Sequence, residues 1–176
     1  MRDFEYIKMQ KLHCRKSIRL KNYDYSSNGY YFVTICVQNR EKLFGEIVGA
    51  TLCGRPNNPD KIITKWLLEL ENKFNDIKID EYIIMPNHIH FIIKRTGDHT
   101  GSPLRDIVGW FKTMTTNEYI AGVKSGKFIP FKGRLWQRNY YEHIIRNYDD
   151  YINISEYIQN NPLKWDEDKL YVPEVK

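Results

Sequence analysis

Apolar residues recur along this chain with two different periods, and each change of period marks a structural element. Residues 30–38, YYFVTICVQ, are aromatic and β-branched, as expected of a central strand. Residues 44–53 read as a second, weaker strand, and the Gly54-Arg-Pro-Asn-Asn-Pro59 run then breaks the chain. From residue 60 to 74 the period becomes helical: Ile62, Ile63, Trp66, Leu67, Leu70 and Phe74 form one stripe able to cover a sheet. Residues 77–85 and 88–94 return to strand, separated by Pro86 and Asn87, which read as a tight hairpin. After a loop at 97–103, Ser102 is placed to cap a helix from 104 to about 119, with Leu104, Ile107, Val108, Phe111 and Met114 on its buried side. Residues 122–133 read as a glycine- and lysine-containing linker, and 135–143 as an aromatic and polar stretch ahead of a last helix at 148–161. Asp149 and Asp150 in the first turn complement that helix's dipole, and Pro162 is expected to stop it. The order predicts an α+β fold, a mainly antiparallel sheet with helices on one face.

Composition narrows the possibilities. With 176 residues and 41% hydrophobic content, the chain can bury one core and is too short for two comfortable ones. A net charge of +5 favours a polyanionic partner, and thirteen tyrosines and four tryptophans could supply stacking surfaces for unpaired bases, although most belong in strands and core. Cys14, Cys36 and Cys53 are odd in number and scattered, which argues against a disulfide framework and for a reducing compartment. The N-terminal residues lack the apolar run of a signal peptide and no later stretch approaches a membrane span, so a cytoplasmic protein is expected. The basic segment 1–28, with Arg15, Lys16, Arg19 and Lys21, reads equally as an arm on a phosphate backbone and as a solvated tail.

The chemistry concentrates in two places. In the run 81–93, EYIIMPNHIHFII, strand alternation sends His88 and His90 out of the same face among apolar neighbours, where neutral imidazoles suit a divalent metal. Such a pair is also often no more than a satisfied, half-buried couple. In the last helix Tyr157 and Asn161 are four apart, so a phenol and an amide oxygen project from one side. Were that side to face the histidines, the set would suit phosphodiester cleavage. His143 reads as a supporting group or a plain helix residue, and His13 and His99 have no partner in sequence.

The blocks RLKNYDYSSNGYYFVTICVQNREKLFGEI, MPNHIHFII, SPLRDIVGWFKTMTTNEY, LWQRNYYEHIIRN and YINISEYIQNNPLKW occur in the same order as in the single-tyrosine HUH transposases. The chain most resembles their REP-associated tyrosine transposase branch, from about Ser17 to Trp165. The resemblance implies a ferredoxin-like antiparallel sheet with helices on one face, plus a C-terminal helix that carries the nucleophile. It implies that Tyr157 attacks DNA to give a 5′-phosphotyrosine and a free 3′-hydroxyl, and that His88, His90 and Asn161 hold Mg²⁺ or Mn²⁺. Asn161 stands where related insertion-sequence enzymes have glutamine, keeping the amide oxygen with a shorter reach. The ligand set so read contains no carboxylate; two imidazoles alone would favour zinc, so the metal named rests on the family. The implied substrate is single-stranded DNA with a hairpin, and the protein is expected to act as a monomer or homodimer. Lys112, Lys132, Arg138 and Arg146 could contact phosphates, and Trp136 and Gln137 could shape the DNA pocket. The organisation expected is a basic arm at 1–28, one catalytic domain at 29–165 and a C-terminal tail at 166–176. Two other readings compete: an idle nucleic-acid-binding module of ferredoxin-like shape, and a metal-dependent hydrolase of small phosphoesters in which Tyr157 is structural.

Overall fold

The computed structural model describes residues 23–48, 51–53, 59–97 and 101–173. Most of the basic arm, with Cys14, His13 and His99, lies outside the described residues. The elements are β1 (Gly29–Cys36), β2 (Glu46–Val48), β3 (Thr51–Cys53), α1 (Asp60–Lys73), β4 (Ile77–Met85), β5 (His88–Arg95), α2 (Leu104–Lys124), β6 (Tyr141–Ile145) and α3 (Tyr148–Asn160), with 3-10 turns at Gln38–Arg40 and Asn161–Glu167. Four strands form one sheet in the order β4-β5-β1-β6, every neighbour antiparallel. With α1 and α2 as the crossovers, this is the split βαβ pattern of the ferredoxin-like fold.

Alternation on β1 and β5 gives the sheet two different faces. Tyr31, Val33 and Ile35 of β1 and Ile89, Phe91 and Ile93 of β5 pack against Ile63, Leu67 and Leu70 of α1 and Leu104, Ile107 and Phe111 of α2 to form the main core. Each such side chain contributes about 1.5–3 kcal/mol when fully buried. The opposite face carries Phe32 and Ile92, and α3 covers it through Ile158. Both histidines belong to this second face. Pairing of Thr34 with His90 and of Cys36 with His88 fixes them there, because a slip of one residue would turn both rings into the main core.

Several local expectations are corrected. Residues 44–53 do not form one strand but contain the separate two-stranded antiparallel pair β2 and β3. Ser102 does not cap α2: Pro103 precedes the helix with no side-chain cap, and the Ser102 carbonyl instead accepts from the buried Arg95, which also pairs with Asp76. The linker begins later, since α2 continues to Lys124; the Phe128 ring lies against Gly122, where any Cβ would collide with it. Thr115, not Met114, continues the buried side of α2, its hydroxyl donating to the Phe111 carbonyl and accepting from the Trp136 indole. The stretch before α3 contains β6, a five-residue edge strand whose outer positions are too polar to give a clear alternating signal. α3 ends at Asn160, just ahead of Pro162 as expected, and the 3-10 turn 161–167, whose first positions accept proline, follows at once. No helix among the described residues is long and apolar enough to cross a membrane.

Candidate active site

His88 and His90 are buried, at 0% and 2% exposure, and their Nε2 atoms stand 2.9 Å apart. Each ring is held by its other nitrogen: His88 Nδ1 lies 2.7 Å from Asn87 Oδ1, and His90 Nδ1 lies 2.7 Å from Thr34 Oγ1. Phe32 stacks on His90 and Trp165 tilts against His88. This apolar surround keeps the rings neutral. Burial, reinforced by the Arg40 charge, drives His88 down to about 3, and burial followed by the neighbouring His88 drives His90 well below the usual imidazole range despite the nearby Asp168 carboxylate.

Helix α3 brings the phenol to this pair. Asn147 caps its first turn through the Asp150 amide, while Asp150 binds His143 of β6 at 2.9 Å, so His143 acts as an anchor between strand and helix. Further along, Tyr151 donates to Asp80 at 2.6 Å and Ser155 to Glu81. These ties, with Ile158 in the second core, set the rotation of α3. Tyr157 consequently overlies His90 and Phe32, with its hydroxyl 3.2 Å from His90 Nε2 of the same chain and 45% of the residue open to solvent. The same hydroxyl donates to Asp168 Oδ2 at 3.1 Å. Burial and then the Asp168 charge and hydrogen bond raise its proton affinity well above that of a free phenol, with the Asn161 amide pulling the other way.

Asn161 is buried at the end of α3. Its Nδ2 donates to Asp168 Oδ2 at 2.8 Å, and its Oδ1, though shielded from water, has no hydrogen-bond partner among the described residues. Asp168 is the residue the sequence reading missed. It lies within the segment assigned as a tail from 166 onward, yet residues 166–173 fold back on the site: Arg40 donates to the Lys169 carbonyl and Asn87 to the Leu170 carbonyl. The usable signal was Trp165, an aromatic too large to leave exposed, which draws the following residues inward. The ligand atoms of His88, His90 and Asp168 lie within 4.8 Å of one another. Two imidazole nitrogens, a carboxylate and an orphaned amide oxygen fit a divalent cation, and the oxygens move the preference toward a hard ion relative to two imidazoles alone. Asp168 thus sets a carboxylate beside His88, His90 and Asn161, which by themselves contain none.

The other candidates divide. Trp136 is a core residue, 4% exposed, packed on Phe44 and Phe111, so it supports the loop from inside and offers no face to DNA. Lys112 is half-buried with its ammonium bonded to the carbonyls of Gln137, Arg138 and Asn139, and burial lowers it to about 8; it clamps that loop and has no donor left for a phosphate. Gln137 is half-buried and bonded through its backbone to Cys36, whereas Lys132, Arg138 and Arg146 are exposed. Lys112→Met is therefore expected to cost about 1–3 kcal/mol of stability through the stranded carbonyls. An unchanged urea midpoint in that variant would show that the clamp carries no load.

Burial of the neutral histidines also sets a pH dependence for the metal-free protein. As pH falls through about 6.5, imidazoles of the unfolded chain take up protons that the folded pair refuses. Their contribution to stability is complete above that pH and declines toward about 3, the folded value of His88. A loss of a few kcal/mol is expected over the window. Urea midpoints measured between pH 7 and 5, above the range of ordinary carboxylates, should fall steadily; a flat profile contradicts the burial of the pair.

Comparison with known proteins places this geometry in context. A family model for IS200-like transposases matches residues 25–161. Over 173 residues the chain is 39% identical to an uncharacterized protein of Haemophilus influenzae, covering 92% of this chain and 95% of that one. It is 24% identical over 156 residues to a candidate REP-associated tyrosine transposase of the same species, covering 82% and 77% of the two chains. Its fold is similar to that of a REP-associated tyrosine transposase solved bound to a REP hairpin, with a TM-score of 0.58 at 21% identity over 86% of this chain and 76% of that one. A candidate transposase of Deinococcus radiodurans R1 gives a TM-score of 0.50 at 16% identity, covering 81% and 97%.

Proposed function

The chain belongs to the IS200-like transposase family, and from that premise we propose that it cleaves and rejoins single-stranded DNA at hairpin-forming palindromes through a 5′-phosphotyrosine on Tyr157. The observation that carries this reading is the Tyr157 hydroxyl 3.2 Å from His90 Nε2, contributed by distant parts of one chain. A hairpin is the proposed target because a solved protein of similar fold holds a REP hairpin. His90 and Tyr157 meet within one chain, which supports a site completed in cis.

His88, His90 and Asn161, joined by Asp168, would hold Mg²⁺ or Mn²⁺, which when bound withdraws charge from a non-bridging oxygen of the scissile phosphate. The protein's own groups do the rest. Tyr157 enters the reaction protonated, since its surroundings raise its proton affinity, and Asp168 Oδ2 already accepts that proton in a hydrogen bond. In the cleaving step the phenolic oxygen bonds to phosphorus, the bond from phosphorus to the 3′ oxygen breaks, the phenol proton passes to Asp168, and the leaving oxygen takes a proton from water. Run backwards, the step joins strands. The linkage energy is conserved in the phosphotyrosine, so no external energy source enters.

The test is incubation with labelled hairpin-bearing single-stranded DNA and Mg²⁺ or Mn²⁺, followed by a search for an adduct that survives denaturation. An adduct supports the reading. Tight binding without one favours a nucleic-acid-binding module, and turnover of small phosphoesters instead of DNA favours a hydrolase.

A further inference from the structure

We infer that Asn87 presets His88 in the tautomer with its proton on Nδ1, while Thr34 leaves His90 able to exchange tautomers, so the pair waits asymmetric and becomes symmetric when both Nε2 atoms face a cation. Asn87 is fully buried in the turn between β4 and β5. Its Nδ2 donates to two backbone carbonyls, those of Arg40 at 3.2 Å and Leu170 at 2.9 Å. Carbonyls only accept. Turning the amide over would set its oxygen against both, so Oδ1 must face His88 Nδ1 at 2.7 Å. An amide oxygen also only accepts, and the ring nitrogen opposite therefore bears the proton. His88 Nε2 is left as a bare lone pair aimed at the site. The anchoring carbonyls come from the 3-10 turn Gln38–Arg40 after β1, where Asn39 and Arg40 are left-handed (φ 58° and 57°), and from the C-terminal segment.

His90 has a different partner. The Thr34 hydroxyl, 2.7 Å from Nδ1, can donate or accept. Two bare Nε2 lone pairs 2.9 Å apart would repel, and His88 has no proton to place between them. Without a cation, His90 must therefore carry its proton on Nε2 and donate to His88, with Thr34 donating to His90 Nδ1. Presenting both Nε2 atoms to a cation moves the His90 proton to Nδ1 and turns the Thr34 hydroxyl from donor to acceptor. Protons are conserved: one leaves Nε2, one enters at Nδ1, and both rings stay neutral. Asn87 is thus a positioning residue, acting through His88.

The switch of His90 rests on the metal-holding part of the proposed function, whereas the preset of His88 does not. Histidine ¹⁵N NMR on the full chain separates them. The metal-free protein should show His88 protonated at Nδ1 and His90 at Nε2; saturation with Zn²⁺, used as a diamagnetic probe, should bring both to Nδ1. Asn87→Leu should remove the His88 preference and weaken Zn²⁺ binding by about 10–100-fold. Thr34→Val should leave His88 unchanged while weakening Zn²⁺, so the inference stays testable even where Asn87→Leu fails to fold. A metal-free wild type with His88 protonated at Nε2, or a folded Asn87→Leu with His88 unaltered, overturns the preset. Absence of Zn²⁺ binding with His88 still at Nδ1 overturns the switch and the metal reading, and upholds the preset.

Discussion

Replacing Tyr157 by phenylalanine is expected to abolish covalent attachment to hairpin DNA, lowering adduct formation by about 10⁴-fold or more, while fold and DNA binding persist. The expectation follows from what the hydroxyl touches. Its partners are His90 Nε2 and Asp168 Oδ2, and neither depends on it for its own satisfaction. Asp168 keeps bonds from the Asn161 amide and the Leu170 backbone, and His90 keeps Thr34 and His88. The ring itself would remain edge-on to Phe32, so the packing of α3 is untouched. Stability should change by less than about 1 kcal/mol. Gel analysis of denatured reactions reads the adduct, and a parallel binding titration reads retention of the DNA. Persistent adduct in the phenylalanine variant would move the nucleophile elsewhere, with Tyr141 and Tyr148 as the exposed alternatives nearest in sequence.

Chelation of divalent ions is expected to stop adduct formation by at least about 10³-fold and to leave the fold intact, with activity restored by Mg²⁺ or Mn²⁺. The second half of that statement is the more specific. A cation that organises its own site unfolds the protein when removed. Here the ligands are held without it: β5 is paired on both sides, Asn87 and Thr34 fix the imidazoles, and burial keeps them uncharged. Of the candidate ligand atoms, Asn161 Oδ1 is buried without a hydrogen-bond partner among the described residues, a penalty of about 1–3 kcal/mol that a cation would relieve. The melting temperature in chelator should thus drop by a few degrees at most. Cleavage that continues in chelator would sink the metal reading; loss of the folded state would assign the ion a structural role instead.

Much of this was legible in the residues. The strand alternation of 88–94 placed His88 and His90 on one face, and four-residue spacing placed Tyr157 and Asn161 on one side of a helix, because these periods are properties of the backbone and not of its surroundings. The long apolar stripes of α1 and the hairpin at Pro86-Asn87 could be read for the same reason. Short or two-sided elements could not. β6 has five residues and a single partner strand, so its pattern is weak, and Trp136 and Lys112 carry side chains that suit DNA and core or clamp equally well.

The sequence by itself pointed to the family, to the strands and helices long enough to show a period, and to His88, His90, Tyr157 and Asn161 as the candidate site. Only the tertiary structure decided that α3 lies across the histidine face, that Asp168 returns from the C-terminal segment to bind both Tyr157 and Asn161, and that Asn87 is pinned by carbonyls 47 and 83 residues away. Local order reports which side of an element a residue occupies. Which sides meet depends on burial and hydrogen bonding summed over the whole chain, and no period in the sequence encodes that.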